Sequence, residues 1–571
     1  MQLRKLKLII FFVILCQISY SQINKKQNIF SSPVNFPIKL AGTFGELRSG
    51  HFHSGIDIKT KGKCGEIIKA VSNGYISRIK VSTNGYGKTI YISHPNNRTS
   101  VYGHLSKFNN KISKYVKDYQ YKNKTFEVNI FPESNKFTIK KGDIIGFSGN
   151  TGSSRGPHLH FELRKTSNQH PINPLLFLDV KDNIAPKIYY LACYPMEENS
   201  TINSKNKSLI IPAKLNDNNY IIANNLKLSG KIGFGIETYD YLNDSRNKCG
   251  ITNLKLKINN KLIFEHKINE FAFSETRYIN SHIDYEEKEK SNKKIQKTFI
   301  EPNNNLSTYL NTVNNGIYNF DDSTNYNIKI LVNDIYNNTS ILEFNAIGSK
   351  QKKIDTPAIQ HDSINKILWD KDFLFKNDKI QIRISKYSLY KNLNFNYYIS
   401  QAIPNTFSSL HHIHNIYTPL QKPISLSIHT NNIPEGLKEK ALIVRIDKDG
   451  EKHSIGGDAI NSHITGITRK FGNYTVMIDT IAPKIIPLFT STKFENKSKI
   501  NFKITDKLAG IKTYNGYIDN KWVLFEYDLK NKLLFFTFDK DKILKNTNHE
   551  LEIFVIDNKN NIETYYTSFY W

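Results

Sequence analysis

The sequence predicts a mainly β protein, with a compact antiparallel β domain near the N-terminus followed by several β-sandwich modules. Three observations carry this. First, short alternating runs are separated by hairpin signals, as where Ile67-Ile68-Lys69-Ala70-Val71 passes through Asn73-Gly74 into Tyr75-Ile76-Ser77-Arg78-Ile79. Second, 32 Tyr and 34 Phe suit a chain rich in strands. Third, one stretch of strand-and-turn sequence occurs twice. With 571 residues, the chain is too long for one core, and a rough ~150 residues per domain implies three or four.

Residues 1–21 read as a secretory leader. Arg4, Lys5 and Lys7 precede an apolar run from Leu8 to Cys16, and Ser19-Tyr20-Ser21 offers a small-x-small cleavage site before Gln22. That run is far short of the ~20 residues that span a bilayer, so no transmembrane anchor is expected after its removal. Leu15, where a small residue would be needed, argues against lipid attachment at Cys16. Export to the periplasm or cell envelope is therefore expected. The formal net charge of +28 is spread over dispersed lysines, with no basic helix, nucleic-acid motif or aromatic-interleaved basic stripe, so nucleic acid is not an expected partner. Beyond the leader stand Cys64, Cys193 and Cys249, too few and too scattered for a disulfide framework. Either Cys193 pairs with Cys249 or both are buried thiols.

Residues 22–180 form the first expected domain. Its Gly-punctuated strands continue in Lys140-Lys141-Gly142-Asp143-Ile144-Ile145-Gly146, and it shows no long amphipathic helix. Within it, residues 109–138 form an insertion longer than a simple hairpin, expected to be either a wall over a groove or an added edge hairpin. The repeat lies beyond: Asp182-Asn183-Ile184-Ala185-Pro186-Lys187-Ile188 recurs as Asp479-Thr480-Ile481-Ala482-Pro483-Lys484-Ile485. Each copy is followed by Cys249-Gly250-Ile251 or Ala509-Gly510-Ile511, with an Asp ahead of it. Each ends near Val332-Asn333-Asp334 or Val555-Ile556-Asp557. This grammar resembles immunoglobulin-like β modules, expected at 183–348 and 481–571, with a further β module at 360–480.

Three short segments carry the chemistry: His51-Phe52-His53-Ser54-Gly55-Ile56-Asp57, Val101-Tyr102-Gly103-His104-Leu105-Ser106, and Gly156-Pro157-His158-Leu159-His160-Phe161-Glu162. Zinc takes His nitrogen and Asp oxygen, and its catalytic sites offer three protein ligands plus a water. Residues two or four apart on a strand share a face. His53 is thus placed with Asp57, and His158 with His160, while Leu159 and Phe161 turn to the core. Each segment alone reads as a turn or a structural pair of histidines; the three together, in Gly-rich β sequence, point to a metal site. His51 shares parity with His53, but the spacing to Gly55 and Asp57 favours His53. His94 reads as structural or exposed. Glu162 is either a partner of the histidines or a solvent-facing strand residue.

Residues 36–177 resemble the M23 peptidases, the LytM and lysostaphin-like zinc endopeptidases, through H-x-G-x-D, the Tyr102-Gly103-His104-Leu105 segment, H-x-H and the lead-in Phe44-Gly45-Glu46-Leu47-Arg48. The resemblance implies a zinc ion (Zn2+) held by His53, Asp57 and His160, with His104 and His158 in catalysis. It implies peptidoglycan peptides, stems or crosslinks, as substrate. The alternative is an M23-like scaffold that binds cell wall or regulates another hydrolase without cutting. The Lys-Lys-Gly-Asp hairpins also suit a lipoyl-like carrier, but that leaves the five placed histidines and acids unexplained. The C-terminal modules carry no catalytic constellation. They are expected to position the enzyme or engage an envelope protein partner, with a piece ending near Asp179 still cleaving.

Overall fold

The computed structural model describes residues 30–243, 245–350 and 366–571. The leader read at residues 1–21 lies outside the described residues. Among those described, no helix is long and apolar enough to cross a membrane.

The first domain is built on a large antiparallel sheet. Its main path runs Leu40–Gly42, Ile56–Lys59, His158–Lys165, Arg98–Leu105, Lys88–His94, Gly74–Val81 and Val128–Ile130. The strand His158–Lys165 shows how the sequence encodes this. Leu159, Phe161 and Leu163 enter the core with Ile56, Ile58, Tyr102 and Leu105, while the alternate His158, His160, Glu162 and Arg164 face the other way. A second small sheet, Ile67–Lys69, Ile144–Phe147 and Lys107–Phe108, closes the core from the opposite side.

The insertion holds a helix and short edge strands. Asn110–Asn123 is a 14-residue helix, capped by the Asn109 side chain, which accepts from the Ile112 amide at 2.9 Å. Ile112, Val116 and Gln120, four residues apart, are its buried face. Lys124 ends it in the left-handed conformation. The chain then returns as Val128–Ile130 and Thr138–Ile139, both paired to Gly74–Val81. A domain without a long helix was expected; the tyrosines and lysines of this stretch hid an apolar stripe of only two aliphatic residues.

The C-terminal part is mainly β among the described residues, with short helices at Ile279–His282 and Tyr285–Ser291. Residues 366–478 form two five-stranded sheets, and residues 484–571 two four-stranded sheets, each pair enclosing one hydrophobic core. Between Lys187 and Gly348 the strands join in a thirteen-stranded system, more elaborate than the immunoglobulin-like module expected. Its spine is the 14-residue strand Leu226–Tyr239. Gly230 there sits at φ +72°, and this bend lets one strand serve several partners. Cys193 and Cys249 are buried thiols with no bridge between them.

The first domain shares an apolar core with the β module after it. Phe44, Leu47 and Phe52 pack with Ile268, Phe271, Ile279, Ile283 and Leu306 in one cluster, with Phe44 and Phe271 ring centroids 5.3 Å apart. The Phe52 amide donates to Thr276 Oγ1 at 2.8 Å. A piece ending at Asp179 would leave this face uncovered. The last module also returns to the first domain. Lys88 pairs with Glu526 at 2.7 Å, Trp522 meets Tyr121 edge-on, and Lys530 donates to the carbonyls of Asn150 and Ser154.

Candidate metal centre

The strand register brings the site together. His160 is directly opposite Asp57 on one side and Gly103 on the other, and facing residues on neighbouring antiparallel strands have Cβ atoms about 4.5–5.5 Å apart. His53 reaches the same point by a different route from the one parity suggested. The strand breaks after Phe52 and resumes at Ile56, so His53 lies on a bend. Gly55 permits this bend, since a Cβ there would lie 2.3 Å from the Phe161 carbonyl oxygen.

Three ligand atoms converge. His53 Nε2 lies 3.1 Å from His160 Nδ1 and 3.1 Å from Asp57 Oδ1, and His160 Nδ1 lies 3.0 Å from Asp57 Oδ1. The outer atom of each is already engaged. His53 Nδ1 donates to the Thr43 carbonyl at 2.8 Å, and Arg48 Nη2 donates to Asp57 Oδ2 at 2.8 Å. His160 Nε2 donates to Glu162 Oε1 at 2.9 Å. In their neutral forms both imidazoles therefore present lone pairs to a carboxylate oxygen, an arrangement that calls for a cation. The donor separations are slightly inside the roughly 3.4 Å that tetrahedral bonds of ~2.1 Å place between ligands. Burial works against charge on His160, yet its bonds to Asp57 and Glu162 lift its pKa to about 9, so the surroundings favour positive charge. Burial likewise opposes ionisation of Asp57, but the His53, His158 and His160 imidazoles beside it hold it well below the usual carboxylate range.

Glu162, left open between two roles in the sequence, is fully buried and serves His160. Arg164 Nε donates to its Oε2 at 2.6 Å, and Ser54 and Tyr86 hydroxyls donate to Oε1 at 2.5 Å each. Burial raises the cost of its charge, but Arg164 and His160 keep it ionised, so the shared proton stays on His160 Nε2. Tyr86 stacks on His160 with centroids 4.7 Å apart. Gly103 leaves room for that ring, for a Cβ there would stand 3.3 Å from Tyr86 Cβ. The sequence assigned no role to Tyr86, Ser54, Arg48 or Arg164. The alternation His158-His160-Glu162-Arg164 was the available signal for Arg164; nothing local marked Tyr86.

His104 and His158 flank the three ligand atoms. His104 has φ +61°, an uncommon conformation for a side-chain-bearing residue. Its Nδ1 donates to the Thr151 carbonyl at 2.8 Å. His158 Nδ1 meets the Gly156 carbonyl at 2.9 Å, and its Nε2 lies 3.3 Å from Asp57 Oδ1. The His104 and His158 rings are 4.8 Å apart. Burial, with His160 and His158 close by, pushes His104 down to about 3. His51 is exposed on the Ser49 carbonyl, outside the cluster. His94 is buried between the Asn73 carbonyl and Ser100, a structural residue.

Comparison with known proteins places the histidine-bearing segments within a family match. The profile of Peptidase family M23 matches residues 51–121 and 124–174, and that of the Zu5-like domain matches residues 365–479. The DD-carboxypeptidase/endopeptidase Mpg of Neisseria meningitidis is 33% identical over 129 residues, 23% of each chain. Lysostaphin of Staphylococcus simulans is 33% identical over 133 residues, 23% of this chain and 22% of its own. The chain thus spans less than a quarter of the length of these curated relatives. Among solved structures, the catalytic domain of the M23 protein EnpA from Enterococcus faecalis is similar at 26% identity, TM-score 0.19, covering 25% of this chain and 93% of that one. Within residues 51–174 the chain is thus similar to Peptidase family M23, and residues 365–479 of its C-terminal β modules are similar to the Zu5-like domain.

Proposed function

We propose that this protein is an exported zinc metalloendopeptidase that hydrolyses peptide bonds in peptidoglycan stems or crosslinks. The observation that carries the reading is the convergence of His53 Nε2, Asp57 Oδ1 and His160 Nδ1, with the outer atoms of all three already bonded. Two nitrogens and one carboxylate oxygen are a zinc-type donor set with one position left for water or substrate. Bound there, zinc supplies a Lewis acid that polarises a carbonyl and acidifies water to a pKa of about 7.

The remaining chemistry falls to His104 and His158. With Nδ1–H of each held by a carbonyl, the lone pair is on Nε2. His104 is uncharged at neutral pH, because burial and the neighbouring imidazoles oppose its protonation. An Nε2 of this pair takes a proton from the attacking water as its oxygen bonds to the scissile carbonyl carbon. The imidazolium so formed then gives that proton to the departing amine nitrogen as the C–N bond breaks. Arg48 and Glu162 hold Asp57 and His160 in place throughout.

The substrate class draws support from relatives named for acting on such bonds, a DD-carboxypeptidase/endopeptidase and the glycyl-glycine endopeptidase ALE-1 of Staphylococcus capitis. Mass spectrometry of muropeptides incubated with the zinc-loaded full chain tests the proposal. New peptide termini, absent with His160→Ala, are expected. Metal-loaded protein that binds muropeptides without cutting them would instead favour the non-cleaving scaffold.

A further inference from the structure

The repeated sequence has a three-dimensional counterpart that peptidase chemistry does not use. Asp182, Asp240 and Asp334, far apart in sequence, bring one carboxylate oxygen each within 4.8 Å of one another. Asp479, Asp506 and Asp557 do the same in the second copy. The two skeletons match. Asn338 Nδ2 donates to Asp334 Oδ2 and to the Asp182 carbonyl, and Asn561 Nδ2 donates to Asp557 Oδ2 and to the Asp479 carbonyl. In both, the third Asp accepts two backbone amides through Oδ1, from Tyr336 and Asn338 or from Lys559 and Asn561.

The two copies differ in how their charge is met. In the second, Lys559 is buried close by; its ammonium donates to the Gly457 carbonyl at 2.7 Å and feels Asp458 and Glu439 first, then Asp557 and Asp479. Both oxygens of Asp479 and of Asp557 accept hydrogen bonds. In the first, Tyr336 stands where Lys559 does, and the carboxylate oxygens are less fully bonded. Asp240 is 4% exposed and its Oδ1 has no hydrogen-bond partner; Asp182 Oδ2 has none either. Three carboxylates gathered with little water and no cation are costly to keep ionised.

We propose that Asp182, Asp240 and Asp334 form a second metal site, for a hard divalent cation of the calcium class, and that the Asp479 cluster does not. An all-oxygen set suits calcium, with carbonyls and water completing its coordination, whereas zinc prefers the nitrogen-containing set at His53. The site lies where the first domain passes into the first β module. The Asp240 and Cys249 backbones pair at the ends of one loop, and the Gly250 amide next in the chain donates to Thr43 Oγ1 at 2.9 Å. Thr43 in turn holds His53 through its carbonyl. The cation therefore clamps the module onto the segment that positions one zinc ligand.

Calorimetric titration of the zinc-loaded full chain with calcium chloride, paired with thermal melting, tests the assignment. One calcium is expected to bind with Kd no weaker than about 10⁻³ M and to raise Tm. Asp240→Asn should weaken binding by roughly tenfold or more, since affinity follows ligand charge, and Asp506→Asn should leave it unchanged. If Asp240→Asn fails to fold, Asp182→Asn, at a half-buried position with an unpartnered oxygen, takes its place. No heat and no Tm shift at several millimolar calcium would overturn the proposal, as would unaltered affinity in the folded variant.

Discussion

Glu162 Oε1 accepts the Nε2 hydrogen of His160 at 2.9 Å, and this bond aims His160 Nδ1 at Asp57. Outer carboxylates of this kind fix the tautomer of a metal-binding histidine and raise its basicity. Glu162→Gln keeps the shape but removes the charge and leaves Arg164 without its ionic partner. Metal affinity should fall about 10–100-fold, measured by competition with a chromophoric chelator. Unchanged affinity would reduce Glu162 to a packing residue.

The three inner residues are expected to behave as a set. His53→Ala, Asp57→Ala and His160→Ala should each lose the zinc that the unaltered chain retains through dialysis. Elemental analysis reads this directly. Zinc at full stoichiometry in His160→Ala would show that the ion sits elsewhere.

His104 and His158 should separate metal binding from chemistry. Alanine at either position should leave zinc in place and lower turnover by ~10²–10⁴-fold, the usual contribution of a positioned acid or base. The double variant should lose less than the product of the two, because the pair acts as a unit. Loss of zinc from His104→Ala would move that residue into the ligand set.

A protein cut after Asp179 should not work as a free-standing peptidase. It would expose Phe44, Leu47 and Phe52, now 2%, 7% and 2% accessible beneath Ile268 and Phe271. Burying one such side chain contributes about 1.5–3 kcal/mol, and three uncovered together are a large share of a domain's ~5–15 kcal/mol. Aggregation, or a melting transition far below that of the full chain, is the expected result. A soluble, zinc-loaded and active fragment would contradict it.

Glu301 offers a test of how the β modules are held. It is buried, 2.9 Å from Lys297 and 3.2 Å from Lys391 of the Zu5-like module. Burial opposes its charge, but Lys297 and Lys391 hold its pKa at about 2, below the ordinary 4.5. A depressed folded-state pKa means stability that is present above about pH 4.5 and lost as pH falls toward 2. Glu301→Ala should cost about 3–5 kcal/mol by stranding Lys297, and denaturant melts should show a shallower acid dependence between pH 5 and 2. Identical acid profiles would count against the pairing.

Read alone, the sequence determined the β class, the M23 resemblance and the five candidate site residues. Those signals are local: a two-residue alternation puts His158 and His160 opposite Leu159 and Phe161 whatever else the chain does. It could not decide between the two roles open to Glu162, because a buried carboxylate and an exposed one have the same alternation; Arg164, Tyr86 and Ser54 had to arrive from three separate segments. The helix Asn110–Asn123 was hidden because only Ile112 and Val116 mark its inner face among lysines and tyrosines. The shared core of Phe52 with Phe271, and the meeting of Asp182, Asp240 and Asp334, are contacts between residues tens to hundreds of positions apart. Such contacts depend on how finished elements pack, and no local periodicity records them.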